Sequence, residues 1–422
     1  MTYLSNPTLL AAREALRVVI EQHPQAQAKW MPSLSTSGTA SDTLSRTKAD
    51  TRTASKTREL KNAMSLTQTL YRGGRNFAEL RKAEAAIKGQ RFTYVSAEQT
   101  VILSAITAYM DVLRDRRLYK LRKANVELLQ KRLDSTQTQF DLRQRTLADL
   151  SQAKARLSQA QAILVQAQST QANAVETYNQ IIGRAPQDLS MPDVPTVNTD
   201  DLEVFLVQVD KSNPTLLTAE YAVDQTREDI KIQTGARLPT LAFEASMSHS
   251  RSKELSAPPA SRTRELSGTF TLTVPLYQSG SELSQVRAAR YQNNQRLMEL
   301  DAARRAARQS AIADWNNLQS ARASVDAFSQ SAQAARVARD SIAQELEVGR
   351  RSLIDLLNAE QELANADVSF VQAQRNLIVN SYTFMRTTGE LTAASLAVSD
   401  DLYDPQTDIN KANWNLFTAD ID

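Results

Sequence analysis

Apolar residues recur every three to four positions through two stretches of about 70 residues, the signature of long amphipathic helices. They run from about Gly74 to Arg143 and from about Gly280 to Gly349. Ile102, Ile106, Tyr109 and Leu113 mark one face of the first. In the second, Ile312 answers Ile106, Trp315 answers Tyr109 and Leu318 answers Val112. A return helix follows each, to Gly183 and to Gly389, with seams SQAKARLSQAQAILVQAQ and NAEQELANADVSFVQAQ whose small knobs suit close packing. Ahead of each long helix the period changes to two. Leu241, Phe243, Ala245 and Met247 alternate with polar residues. Leu266, Gly268, Phe270, Leu272 and Val274 then alternate with Ser267, Thr269, Thr271 and Thr273, which predicts strands with one apolar and one polar face. The corresponding first region, Pro32 to Tyr71, is rich in Ser and Thr and reads as two strands. Polar connections are expected at Ser45–Lys56 and at Arg251–Arg262, the latter carrying Pro258-Pro259.

This order occurs twice because the chain is duplicated. Ser352 stands where Thr146 stands (352 − 146 = 206), and the same offset pairs Leu353 with Leu147, Asp355 with Asp149, Leu356 with Leu150 and Leu363 with Leu157. Asn6-Pro7-Thr8-Leu9-Leu10 returns as Asn213-Pro214-Thr215-Leu216-Leu217, each opening a helix with proline in its first turn. The predicted organisation is a first repeat over 1–183 with strands about 32–45 and 58–72. A proline-containing linker spans 184–200. A second repeat covers 201–389 with strands about 239–251 and 262–277, and a polar tail covers 390–422 with Trp414 and Phe417. Leu346 to Leu363 and Phe140 to Leu157 read as tight turns between antiparallel helices. Thr146 with Asp149, and Ser352 with Asp355, have capping-box spacing. Tyr71 and Tyr277 close the hairpins, suited to a membrane interface or to a core at a strand end. The second repeat has helical sequence, Asp201 to Ser212, ahead of its Asn-Pro, whereas the first has five residues and no export signal, so a truncated start is expected.

Composition narrows the functions. The chain has no cysteine and two histidines, His23 and His249, which argues against disulfides, thiolate zinc sites and metal clusters. The 50 basic and 47 acidic residues leave no excess to recruit nucleic acid. No GxxxxGK[ST] loop and no Ser, His and acid constellation is evident, so neither an enzyme nor a cofactor is expected. No apolar run reaches the ~18 to 20 residues of a membrane helix, so a membrane could be crossed only by a closed barrel. Two strands per repeat are marginal alone. Three protomers of four strands would give 3 × 4 = 12, an even antiparallel barrel with Leu266, Phe270, Leu272 and Val274 facing lipid.

Taken together, the paired Asn-Pro-Thr-Leu-Leu, Leu238-Pro239-Thr240, Val274-Pro275-Leu276-Tyr277, Gly349-Arg350-Arg351-Ser352 with Asp355-Leu356-Leu357, and Ala359-Glu360 resemble the TolC family of outer-membrane export channels over nearly the whole chain. The resemblance implies a mainly α protomer with a β-barrel part. Its homotrimer would form an outer-membrane β-barrel continuous with a periplasmic α-barrel, docked to a periplasmic adaptor and an inner-membrane pump or ABC transporter. It implies a passive exit duct for efflux or type I secretion in the cell outer membrane. It also places a gate at the two helix turns, with Asp149, Arg351, Asp355 and Asn358 as constriction candidates and Arg143, Arg145, Thr146, Gly349, Arg350 and Ser352 as turn contacts. Leu346 stands where the family's gate has a tyrosine, Asn358 where it has a second acid, and Arg143 where its first turn has glycine. Capping alone is the competing role for Asp149 and Asp355. A soluble periplasmic helical-hairpin adaptor without a pore is the competing function.

Overall fold

The computed structural model describes residues 2–48, 52–196, 201–254, 257–396 and 402–414. In chain order these form α1 (Thr2–Ser5), α2 (Pro7–Ile20), α3 (Gln22–Ala28), β1 (Ser33–Lys48), β2 (Arg52–Arg72), α4 (Arg75–Asp141) and α5 (Leu147–Ile182). There follow α6 (Leu202–Ser212), α7 (Pro214–Gly235), β3 (Thr240–Glu254), β4 (Ala257–Thr273), α8 (Ser281–Glu347), α9 (Leu353–Thr387) and α10 (Pro405–Trp414). At ~1.5 Å per residue, α4 and α8 are each ~100 Å long.

Two units result, and each draws on both copies of the duplication. One comprises Met1–Glu14, Phe92–Leu217 and Ala302–Tyr403; the other comprises Ala15–Arg91, Thr218–Asp301 and Asp404–Asp422. In the first, Phe205 stacks on Phe384 with ring centroids 4.1 Å apart, beside Trp315 and over buried Val209, Ala311 and Leu318. Val112, Ala108 and Tyr178 form a separate buried group with Leu189 of the linker against it. The described part of the linker, 184–196, is held: Ser190 N–H donates to the Tyr109 hydroxyl (3.1 Å), and Arg116 donates to the Pro186 carbonyl (2.9 Å).

The two Asn-Pro motifs do the same work in this unit. Asn6 Oδ1 accepts from the N–H groups of Thr8 and Leu9, while its Nδ2 donates to the carbonyl of Ile181 at 3.0 Å. Asn213 Oδ1 accepts from Thr215 and Leu216, and its Nδ2 donates to the carbonyl of Thr387 at 3.1 Å. One side chain thus satisfies orphan donors at one helix start and an orphan carbonyl at another helix end. Next to the second clasp, a Cβ on Gly389 would stand 2.4 Å from the Ser212 carbonyl oxygen, so that approach requires glycine. The tail packs here too. Leu391 and Ala393 are fully buried, and Ala393 N–H donates to buried Glu98, whose carboxyl burial pushes upward in pKa. Phe417 lies outside the described residues.

The other unit holds a four-stranded antiparallel sheet in the order β1-β2-β3-β4. The strands outrun the expected boundaries. Most of Ser45–Lys56 and Arg251–Arg262 is strand rather than connection, with Lys48 opposite Arg52 and Glu254 opposite Ala257. Ladder hydrogen bonds come from the main chain, so a polar sequence extends a strand as readily as an apolar one. Pro258 and Pro259 are tolerated because they fall at a register shift, between the pairs Ser252–Ser261 and Glu254–Ala257, where the ladder is interrupted. At its other end β4 stops at Thr273, short of the expected 277, ahead of Pro275. Beside the sheet, Asn293 donates to Thr226 Oγ1 (2.9 Å), Lys82 pairs with Asp229 (2.7 Å) and Trp30 meets Phe77 edge-on at 4.4 Å.

Asn213→Ala should lower stability by about 1–2 kcal/mol, through loss of both cap and clasp. Asn213→Ser should recover much of this, since serine keeps an N-cap acceptor and loses only the bond to Thr387. Thermal unfolding of the two variants orders them.

Candidate functional site

The two helix turns of the first unit are near copies at atomic detail. In the first, Arg143 N–H donates to the Phe140 carbonyl and Gln144 N–H to the Gln139 carbonyl, both at 2.8 Å. In the second, Gly349 N–H donates to Leu346 (3.0 Å) and Arg350 N–H to Glu345 (2.8 Å). This is the Schellman ending, which needs a left-handed residue at its corner. Gly349 supplies it with φ 74°, and Arg143 adopts φ 58° at the equivalent position. An Arg there accepts a backbone strain of about 1–2 kcal/mol that glycine would not incur.

After each corner a full capping box starts the return helix. Thr146 Oγ1 accepts from Asp149 N–H (3.1 Å), while its own N–H and hydroxyl donate to Asp149 Oδ2 at 3.1 and 2.8 Å. Ser352 and Asp355 repeat this at 3.3, 3.0 and 2.7 Å. These bonds favour the ionised carboxylates. The Thr146 N–H, then its hydroxyl, and nearby Arg145 lower the Asp149 pKa; the Ser352 hydroxyl, then its N–H, and Arg351 lower that of Asp355. The stability of both caps is therefore complete above the usual aspartate value of 3.8 and is lost only as pH falls through the lower folded values. Basic residues brace the turns symmetrically: Arg145 Nε donates to Gln139 (3.0 Å), and Arg351 Nε pairs with Glu345 (2.8 Å).

The structure brings the two copies together. Leu129 of α4, Leu157 and Ala160 of α5, and Leu353 and Leu357 of α9 form one buried cluster, with Leu346 of α8 against it. Arg156 donates to Asn358 Oδ1 at 2.9 Å, tying α5 to α9. Arg132 of α4 pairs with Glu360 of α9 at 3.1 Å, where the Glu360 side chain is 2% exposed. Burial raises the Glu360 pKa against the opposing pull of Arg132 and Arg339, and its Oε2 has no hydrogen-bond partner. Neither Arg132 nor Arg156 stood out in the sequence, since an isolated Arg on a long helix carries no periodic signal. Only Glu360, within the Ala359-Glu360 step on which the family resemblance partly rests, could have been found. No group of three or more His, Cys, Asp or Glu side chains able to hold a metal occurs among the described residues.

The sheet supplies the second feature. Opposed residues share a face: Leu241 with Leu272, Phe243 with Phe270, Met247 with Leu266, Met64 with Met247, and Leu34 with Leu66. Phe270 and Phe243 rings lie 4.7 Å apart, and Leu266, Phe270 and Leu272 are exposed in the protomer. Val274 is exposed too, but just past the end of β4. A β-bulge between Thr69 and Tyr71 shifts the phase, so Tyr71 pairs with Leu241 and joins the apolar face. The other face is a field of hydroxyls, with Ser35 bonded to Ser65 and Ser246 to Ser267, both at 2.8 Å. No helix among the described residues is long and apolar enough to cross a membrane.

The family described as outer membrane efflux protein matches residues 2–184 and 205–390. The chain is 28% identical over 407 residues to the outer membrane efflux protein BepC of Brucella suis, covering 96% of this chain and 87% of that protein. It is 26% identical over 367 residues to the outer membrane protein TolC of Escherichia coli, covering 83% and 73%. In fold it is similar to the CmeC outer membrane channel of Campylobacter jejuni, with a TM-score of 0.81 at 16% identity over 98% of this chain and 88% of that one. The outer-membrane channel OprN gives a TM-score of 0.80 at 18% identity, covering 92% and 88%.

Arg132→Met strands a buried carboxylate and should cost about 2–3 kcal/mol, the low end for a buried pair because Arg132 is 34% exposed. Adding Glu360→Gln should restore more than half of that loss, as read by chemical denaturation of the single and double variants.

Proposed function

The chain belongs to the outer membrane efflux protein family, and from that premise we propose that it is the passive exit duct of an export machine, three copies closing one barrel in the outer membrane. The sheet carries this reading. Among the described residues β1 pairs only with β2 and β4 only with β3, so the protomer has two open edges. One face is apolar and the other wet, and an open edge is not viable within hydrocarbon. Pairing β4 of one copy with β1 of the next would remove every edge, put Leu266, Phe270 and Leu272 against lipid and turn the hydroxyls to a water-filled lumen. A soluble adaptor gives no reason for such a sheet.

A duct of this kind is energised from outside itself, by a periplasmic adaptor and an inner-membrane pump. The relatives' names, outer membrane efflux protein and outer membrane protein, support the location and the transport role. The helix turns are the proposed constriction. Asp149 and Asp355 are half-buried carboxylates, while Arg351 and Asn358 are each engaged within the protomer, by Glu345 and Arg156. Capping and gating are compatible, because the capping bonds keep both acids ionised where three copies would converge.

Purified protein should form trimers that conduct ions across a planar bilayer; a stable monomer that never conducts would overturn the reading. Phe270→Lys or Leu272→Lys should block assembly into membranes, at about 2–4 kcal/mol per substitution near the bilayer midplane, whereas Thr271→Lys should assemble. Equal effects at all three positions would refute the facing.

Asp355→Asn keeps the size and much of the capping ability but removes the charge. It should reduce cation selectivity and weaken block by multivalent cations from the turn side, with thermal stability little changed. Unchanged selectivity with lower stability in Asp355→Ala would assign Asp355 to capping alone.

A further inference from the structure

Toward the end away from the helices, the apolar face of the sheet gains a cluster of cations beside its remaining leucines, Leu60 and Leu44. Beyond Met247 and Leu266, the same face carries Arg264, then Arg251 directly opposite Arg262, then Lys253 directly opposite Arg58. Like charges opposed across a ladder are destabilising, and here two such pairs are stacked in successive rows. The acids of the same stretch do not relieve them, because Glu59, Glu254 and Glu265 lie on the hydroxyl face by the alternation of the strands. Asp42 is the acid on the basic face, and Lys56 (3.3 Å) and Arg58 (3.2 Å) already engage it. Arg251, Lys253, Arg262 and Arg264 are exposed and make no ion pair among the described residues.

We infer that these four side chains form a rim that binds phosphate groups on lipid headgroups of the outer leaflet. The inference rests on the barrel reading above, which puts the apolar band in hydrocarbon. The rim begins two residues beyond Leu266, so its guanidinium groups stand at headgroup level. The chemistry fits an anion held by several cations at once: Arg binds phosphate with two parallel N–H donors, and its stem lies along apolar surface while its head stays in water. A peptide or protein partner is disfavoured by continuity, since the cations extend the band that lipid already covers.

The full chain, reconstituted in phosphatidylcholine vesicles with diphosphoryl lipid A, with dephosphorylated lipid A or with neither, tests this through lipid A retained on re-extraction in mild detergent. Retention of the diphosphoryl form alone is expected. Arg251→Gln, Lys253→Gln, Arg262→Gln and Arg264→Gln combined should weaken it by about 600-fold, at roughly fivefold per charge. Lys61→Gln on the hydroxyl face should leave it unchanged, and millimolar inorganic phosphate should not displace the lipid. Equal retention of the two lipid A forms, an unaffected quadruple variant or displacement by free phosphate would each overturn the inference. Bilayer conductance keeps the two readings apart. Protein that conducts but shows no phosphate-dependent retention refutes the rim alone, and protein that never inserts or conducts refutes the barrel with it.

Discussion

Main-chain hydrogen bonding is the constraint on which this architecture turns. Among the described residues, a four-stranded sheet leaves the outward N–H and C=O groups of β1 and β4 without ladder partners in the protomer, and no side-chain substitution can supply them. In water that is a hazard of uncontrolled pairing; in hydrocarbon it is prohibitive. The proposed closure with further copies would satisfy the backbone and would also use the two-faced side-chain pattern. The long strands follow from the same requirement, since pairing continues through polar sequence until the chain must turn.

In the other unit, the same economy appears at helix ends. Every helix end leaves backbone groups unsatisfied, and duplicated residues meet that need twice over. Asn6 and Asn213 each serve a starting helix and a finishing one, and Thr146 and Ser352 each open a return helix through a reciprocal bond to an acid. The apolar cluster that joins α4, α5 and α9 then brings the duplicated turns side by side. Charged groups near this cluster are exceptions to its apolar character, and buried Glu360 is the one most dependent on a partner.

The periodic features were legible in the sequence because they repeat. Helices of the length of α4 and α8, the alternation from Leu266 to Leu272 and the capping boxes all announce themselves through spacing, twice. What escaped was set by pairing across distance. Strand ends were placed short because Ser45–Lys56 and Arg251–Arg262 look like loops by composition. Counting by twos along β2 fails at Leu70, where the bulge moves Tyr71 to the apolar face. The corner at Arg143 is invisible to propensity, since nothing in an arginine signals a left-handed residue; only its match to Gly349 hints at it. Arg132 and Arg156 acquire roles through partners more than 200 positions away.

The hydroxyl face has one further consequence. A carboxylate wall would repel anions and an apolar wall would trap greasy molecules, whereas a serine or threonine oxygen both gives and takes hydrogen bonds. Ser35, Ser65, Ser246 and Ser267 already bond to one another in pairs, so their rotors are partly satisfied before anything passes. Where these hydroxyls lie, among the charges of Glu59, Lys61, Glu244, Glu254 and Glu265 on the same face, the surface stays wetted yet grips no chemical class firmly. Such indifference suits a passage whose selectivity is exercised elsewhere, and it would let one duct serve cargoes with little in common.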